Sequence, residues 1–161
     1  MTSLNPVDSG TPHAVDIAII SGDDERAAIY YVRTIVFVDE QAVPLEEELD
    51  AYDATATHFR VRVHEASHLP CSVVATARLV DKGGGLAKIG RVAVLKQYRG
   101  LGIGFALMRY VEEHAAAAGV MELILEAQLH ALQFYEKLGY TAEGGVFLDA
   151  GIEHRLMRRR L

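Results

Sequence analysis

The sequence predicts a single α+β domain, a mixed and mostly antiparallel sheet of about seven strands with helices packed on it. Three observations lead there. Seven short apolar or alternating segments are separated by Gly- and Asp-rich turns, the patterning of strands and hairpins. One stretch, "LAKIGRVAVL" through "VMELILEA", reads strand, glycine loop, helix, strand, and such a right-handed crossover makes its two strands parallel. The 161 residues suit one domain with a sizeable core, and no repeat, low-complexity segment or linker divides them.

Taken in order, residues 1–14 are rich in Ser, Thr, Pro and Gly and read as a flexible arm, leaving 15–161 as the domain. "VDIAII" is the first strand. "SGDDERAAIYYVRTIVFVDEQ" follows as a helix, with Asp23 or Asp24 as its cap and Ala28, Val32, Ile35 and Val36 at helical spacing. Pro44 ends this region, and the acidic "LEEELDAYD" is a short helix or loop. "THFRVRVHE" alternates, with Phe59, Val61 and Val63 on one face and His58, Arg60, Arg62 and His64 on the other, as a half-buried antiparallel strand does. "CSVVATARLV" and "LAKIGRVAVL" are strands joined through "DKGGG". Gly100 to Gly119 supplies a loop, a helix and its glycine stop; "VMELILEA" is a strand, "HALQFYEKLG" a helix, and two last strands turn at "DAG" from Asp149.

Composition narrows the function classes. Sixteen basic against twenty-two acidic residues give a net charge of -6, which argues against general nucleic-acid binding. Cys71 is the only cysteine, so no intramolecular disulfide forms, and its place in "CSVVATARLV" reads as a buried, inert strand thiol. The N-terminus has neither the basic nor the apolar region of a secretory signal, and no apolar run has the length of a membrane span. The expectation is a cytoplasmic protein that contacts no membrane.

Gly100, Gly102 and Gly104, between an apolar strand and an amphipathic helix, place backbone N–H groups and a helix N-terminus where they face an anion. A dinucleotide fingerprint needs a small residue at its last position, which here falls on Phe105 or Leu107. A P-loop needs G-K-[ST], which is lacking. "QYRGLGIG" instead resembles the R-x-x-G-x-G/A loop of the Gcn5-related N-acetyltransferase (GNAT) superfamily, at Arg99, Gly102 and Gly104. "AQLHALQFYEKLGY" is similar to that family's A-x-x-F-Y-x-x-x-G-F/Y segment, and "RTIVFVDEQAVPLEEELD" and "GIEHRLM" resemble its ElaA-type branch.

The resemblance implies a fourth strand splayed from a parallel fifth, with the pantetheine arm of acetyl-coenzyme A in the gap. Val92 and Val94 would hold the arm, and Arg99, Gly100, Gly102 and Gly104 the pyrophosphate. Gln128 stands where many members carry an asparagine and offers the same amide from a longer stem. The implied reaction is direct transfer of an acetyl or short acyl group to a primary amine on a small molecule or peptide. A homodimer is compatible with the resemblance. A non-catalytic acyl-coenzyme A sensor on the same fold is the second reading, since fold does not fix function.

Tyr135 is the acid candidate: a phenol, with a reference pKa of about 10, is protonated at neutral pH and can give its proton to a departing thiolate. From periodicity alone, Phe134, Tyr135 and Leu138 would equally be a buried helix stripe. For the base, the fourth strand offers no carboxylate. Glu40, near the expected acceptor cleft, is the candidate, with Glu126, His154 and a water chain as alternatives. "HEASH", His64 to His68, matches a zinc-protease motif, but that spacing works only on a helix; here it is turn sequence before Pro70, so no metal is expected. Arg158 to Arg160 read as a solvated strand end.

Overall fold

The computed structural model describes residues 15–161; the arm expected over 1–14 lies outside them. Seven strands form one sheet: β1 (Val15–Ile19), β2 (Thr57–Val63), β3 (Val73–Gly83), β4 (Leu86–Val94), β5 (Glu122–Gln128), β6 (Thr141–Asp149) and β7 (Ile152–Arg160). Their spatial order is β1-β2-β3-β4-β5-β7-β6. Every neighbouring pair is antiparallel except β4–β5. The helices are α1 (Gly22–Arg33), α2 (Leu45–Glu48), α3 (Ile103–Ala117) and α4 (Leu132–Lys137). The mixed sheet and the crossover agree with the sequence reading.

Strand periodicity sorts the core onto the two faces of the sheet. On one face Phe59, Val61, Ala75, Ala77 and Leu79 pack with Ile103, Leu107, Met108, Val111 and Ala115 of α3. On the other, Val73, Ala93 and Leu95 pack with Ala28, Ile29, Val32 and Val36 of α1 and its continuation. Burying a Leu- or Ile-sized side chain contributes roughly 1.5–3 kcal/mol, so these two layers carry the fold.

Several local expectations are corrected. The first helix is α-helical only to Arg33, and Thr34–Glu40 continues it as a π-helix. Its cap is Ser21, whose N–H donates to Glu25, so neither Asp23 nor Asp24 caps it. The polar face of β2 is solvated only at Arg62 and His64: His58 and Arg60 are buried, because the segments around α1 and Asp53 cover them. Cys71 precedes its strand, in a half-buried turn at φ +50°, because β3 begins at Val73. The strand-end arginines are engaged by acids: Arg158 pairs with Glu122 and Glu143, and Arg159 with Glu112. "HEASH" does form a turn, with His64 and His68 exposed.

Candidate active site

The site begins where two parallel strands part. β4 and β5 pair only from Leu86↔Glu122 to Ile89↔Leu125. Beyond that, Glu126, Ala127 and Gln128 pair only with β7, and the β4 edge from Gly90 onward that faces β5 has no partner strand. Unpaired strand amides and carbonyls in a cleft require hydrogen-bonding partners, and an extended ligand with amides of its own supplies them. The cleft between the strands has a volume of about 990 Å³, at the upper end of small-molecule sites. Val92, Val94, Arg99, Gly100, Gly102, Gly104, Gln128 and Tyr135 all line it.

At one end lies the glycine loop. Gly100 and Gly102 have φ of +75° and +80°, left-handed values that a side chain with a Cβ resists. Gly102 is also the N-cap of α3, so the loop delivers the chain into a fifteen-residue helix whose first N–H groups have no intrahelical acceptor. Free amides, the positive helix end and nearby Arg99 give this end the character of a phosphate site. The Arg99 Nε donates to the Val94 carbonyl at 2.8 Å, and its Nη2 donates to both Glu40 carboxylate oxygens at 2.9 and 3.1 Å. The structure thus directs Glu40 onto the loop arginine, and Glu40 is not among the residues lining the cleft.

Tyr135 faces the middle of the cleft from α4. Its ring is held edge-to-face against Phe134 and Tyr140, at centroid distances of 4.9 and 6.0 Å. Burial alone pushes its phenol well above the usual range, so the group is protonated, and no hydrogen bond from the described residues contributes. Gln128 is already engaged: it exchanges amide hydrogen bonds with Gln41 at 2.8 and 3.2 Å and meets His130 at 2.7 Å. This pair joins the end of the π-helix to the end of β5. Of the alternative bases, Glu126 pairs with Lys88 at 3.1 Å. The buried His154 donates from Nδ1 to the Ile152 carbonyl and stacks on Phe147.

The far end of the cleft is built from a buried charge network that the sequence reading did not find. Arg33, 1% exposed, donates from Nε to Glu48 at 2.6 Å and from Nη1 to Asp53 at 2.7 Å. Arg78 donates to the same Asp53 oxygen and doubly to Asp50 at 2.7 Å. Arg91 joins them through Asp50 and the Glu48 carbonyl. Three guanidinium groups therefore face three carboxylates around the "EELDAYD" segment. The detectable signal was Arg33 at helical spacing from Ile29 and Val36, and Arg78 within the apolar run of β3; a buried arginine demands acids.

The same network sets an acid sensitivity. Burial would raise the Asp53 carboxyl, but hydrogen bonds from Arg33, the Asp50 N–H and Arg78 outweigh it and hold it well below the usual carboxylate range. Hydrogen bonds from Arg78 lower Asp50 likewise. His58, whose Nε2–H donates to the Asp53 carbonyl, is lowered chiefly by burial. In each case the unfolded chain binds the proton first, so stability falls as pH falls. The urea midpoint should be level from pH 8 to 7, decline below about 6.5 through His58, and decline more steeply below about 4 through the two aspartates. A midpoint unchanged down to pH 3 would contradict this account.

A mixed sheet with one parallel pair parting over a glycine loop defines an acyl-coenzyme A N-acyltransferase fold. The chain belongs to the GNAT acetyltransferase family: an acetyltransferase (GNAT) domain matches residues 36–161. It is 38% identical over 144 residues to the uncharacterized N-acetyltransferase YjcF of Bacillus subtilis, covering 88% of this chain and 98% of that one. Among solved structures it resembles an acyl-CoA N-acyltransferase from Pseudomonas aeruginosa, with a TM-score of 0.79 and 29% identity over 91% of this chain and 99% of the other. Escherichia coli ElaA is similar as well, with a TM-score of 0.76 and 25% identity over 91% and 98%. No helix among the described residues is long and apolar enough to cross a membrane.

Proposed function

We propose that this protein transfers an acetyl or other short acyl group from acetyl-coenzyme A directly to a primary amine carried by a small molecule or a peptide. The observation that carries the reading is the parting of β4 from β5 at Gly90, which opens onto the Gly100–Gly104 loop and the α3 N-terminus. The loop amides and Arg99 take the pyrophosphate, with Glu40 giving up Arg99 to it. The free edge around Val92 and Val94 pairs with the pantetheine amides, and an N–H near Val94 steadies the tetrahedral oxyanion. Gln128 contributes its amide once its bond with Gln41 opens.

In the reaction the amine nitrogen forms its bond to the thioester carbon, the carbon–sulfur bond breaks, and the thiolate takes a proton. Tyr135, protonated and facing the cleft, is assigned as the donor of that proton. Glu40 points onto the loop arginine and does not line the cleft, so amine deprotonation is assigned to water. Tyr135 also favours catalysis over a sensor role, because binding alone has no use for a proton donor there. The test is coenzyme A release from acetyl-coenzyme A against a panel of small amines, peptide N-termini and lysine peptides. Amine-dependent release is expected; tight binding without release from any amine would establish the sensor.

A further inference from the structure

Arg91 occupies the place where β4 stops being an ordinary strand. Thr76 pairs with Ala93 and Arg78 with Gly90, so Arg91 and Val92 both stand opposite Ala77 in a bulge. Arg91 takes φ +50°, a left-handed value that a residue with a Cβ resists. Such a backbone persists only where its surroundings over-determine it, and such sites cluster at functional centres. The bulge starts two residues beyond Ile89, the last residue of β4 paired with β5. It therefore determines how the Val92–Val94 edge meets an acyl donor.

The side chain shows what holds the bulge. The Arg91 Nε donates to the Glu48 carbonyl at 3.1 Å, and Nη2 donates to that carbonyl at 2.9 Å and to Asp50 Oδ2 at 3.2 Å. Those acceptors are themselves anchored, Glu48 on Arg33 of α1 and Asp50 on Arg78 of β3. We propose that Arg91 is a positioning residue, whose guanidinium ties the β4 bulge to the end of α2 and to Asp50 beyond it, and so fixes the Val92–Val94 edge for acyl transfer. Its Nε and Nη2 donors go to backbone and carboxylate groups of the protein, so it acts through β4. The inference rests on the acyl-transfer reading, and its test separates the two.

Arg91→Gly accepts the left-handed backbone but removes the tether; Arg91→Lys keeps the cation without the planar fork. Both should still bind acetyl-coenzyme A by calorimetry, since the phosphate loop is untouched, with the loss of affinity limited to the pantetheine contacts at Val92–Val94. The single-turnover rate of Arg91→Gly should fall on the order of tenfold or more, as misplacement of reacting groups does, with Arg91→Lys between it and wild type. Hydrogen exchange should quicken at Val92–Val94 and stay unchanged at Leu86–Ile89 in the glycine variant. Unchanged exchange at Val92–Val94 in both variants would overturn the tether, whether or not an acceptor is in hand. Restoration of the Arg91→Gly rate by free methylguanidinium would overturn it too, because a free cation cannot tie two segments together and would mean contact with substrate. Wild-type protein that binds no acetyl-coenzyme A would instead sink the acyl-transfer reading, leaving the exchange result to decide the tether.

Discussion

Gly102→Val should abolish the thermal stabilisation that acetyl-coenzyme A gives the wild-type protein, while leaving a folded domain. Ligand at a hundred times its dissociation constant adds about 2.7 kcal/mol to the native state. For a chain of this size that is a rise in Tm of roughly 5–10 °C. Gly102 sits at φ +80° as the N-cap of α3. A β-branched residue there is strained by about 1–3 kcal/mol, so the loop must leave the path that aims its amides at the phosphates. The side chain would also stand among those donors. Gly102 is exposed and outside both core layers, so the cost falls on the loop and the domain survives. Circular dichroism on the variant checks the fold, and thermal unfolding with acetyl-coenzyme A, NAD and ATP checks the ligand. A wild-type response to NAD equal to that to acetyl-coenzyme A, or a variant still fully stabilised, would move the phosphate site elsewhere.

What was legible in the sequence was whatever a local pattern enforces. Glycine at 100 and 102 suits a backbone that turns left-handed there, and the loop–helix junction followed from them. The order of strands and the parallel pair followed from turn signals and one crossover. The illegible part was made by partners far apart in the chain. "LEEELDAYD" reads only as a short acidic helix or loop until Arg33 and Arg78, some 15 and 28 residues from Glu48 and Asp50, close on it. The same covering buries His58 and Arg60, so alternation in β2 marked the polar face but not its burial. The π-helix at Thr34–Glu40 widens the turn to i→i+5, a change that the spacing of Ala28, Val32, Ile35 and Val36 does not reveal because all but the last two precede it. Arg91 carried no local sign at all: an arginine at positive φ is explained only by the carbonyls and carboxylate that its side chain reaches. For Glu40 the sequence offered only a carboxylate after the first helix, and Arg99, 59 residues away, set its direction.

Tyr135→Phe should give the largest loss of rate with the least disturbance of structure. The substitution removes one oxygen and keeps the ring, whose packing against Phe134 and Tyr140 is edge-to-face and needs no hydroxyl. Because no hydrogen bond from the described residues supports that hydroxyl, its removal strands no protein partner, and neither Tm nor affinity for acetyl-coenzyme A should change much. The thiolate leaving group loses its proton source, which typically costs a factor of about 100 or more. Slow product release would hide part of that loss in steady-state turnover, so the measurement is a single turnover of enzyme preloaded with acetyl-coenzyme A. Burial raises the phenol, which keeps it in its acid form through the alkaline range. The wild-type rate should therefore show no fall below about pH 10 from loss of this acid. A Phe variant with the wild-type single-turnover rate would remove Tyr135 from the mechanism, and one slow only because it no longer binds the cofactor would make it a wall of the cleft. Loss of rate with intact binding leaves the phenol as the group that protonates the departing sulfur.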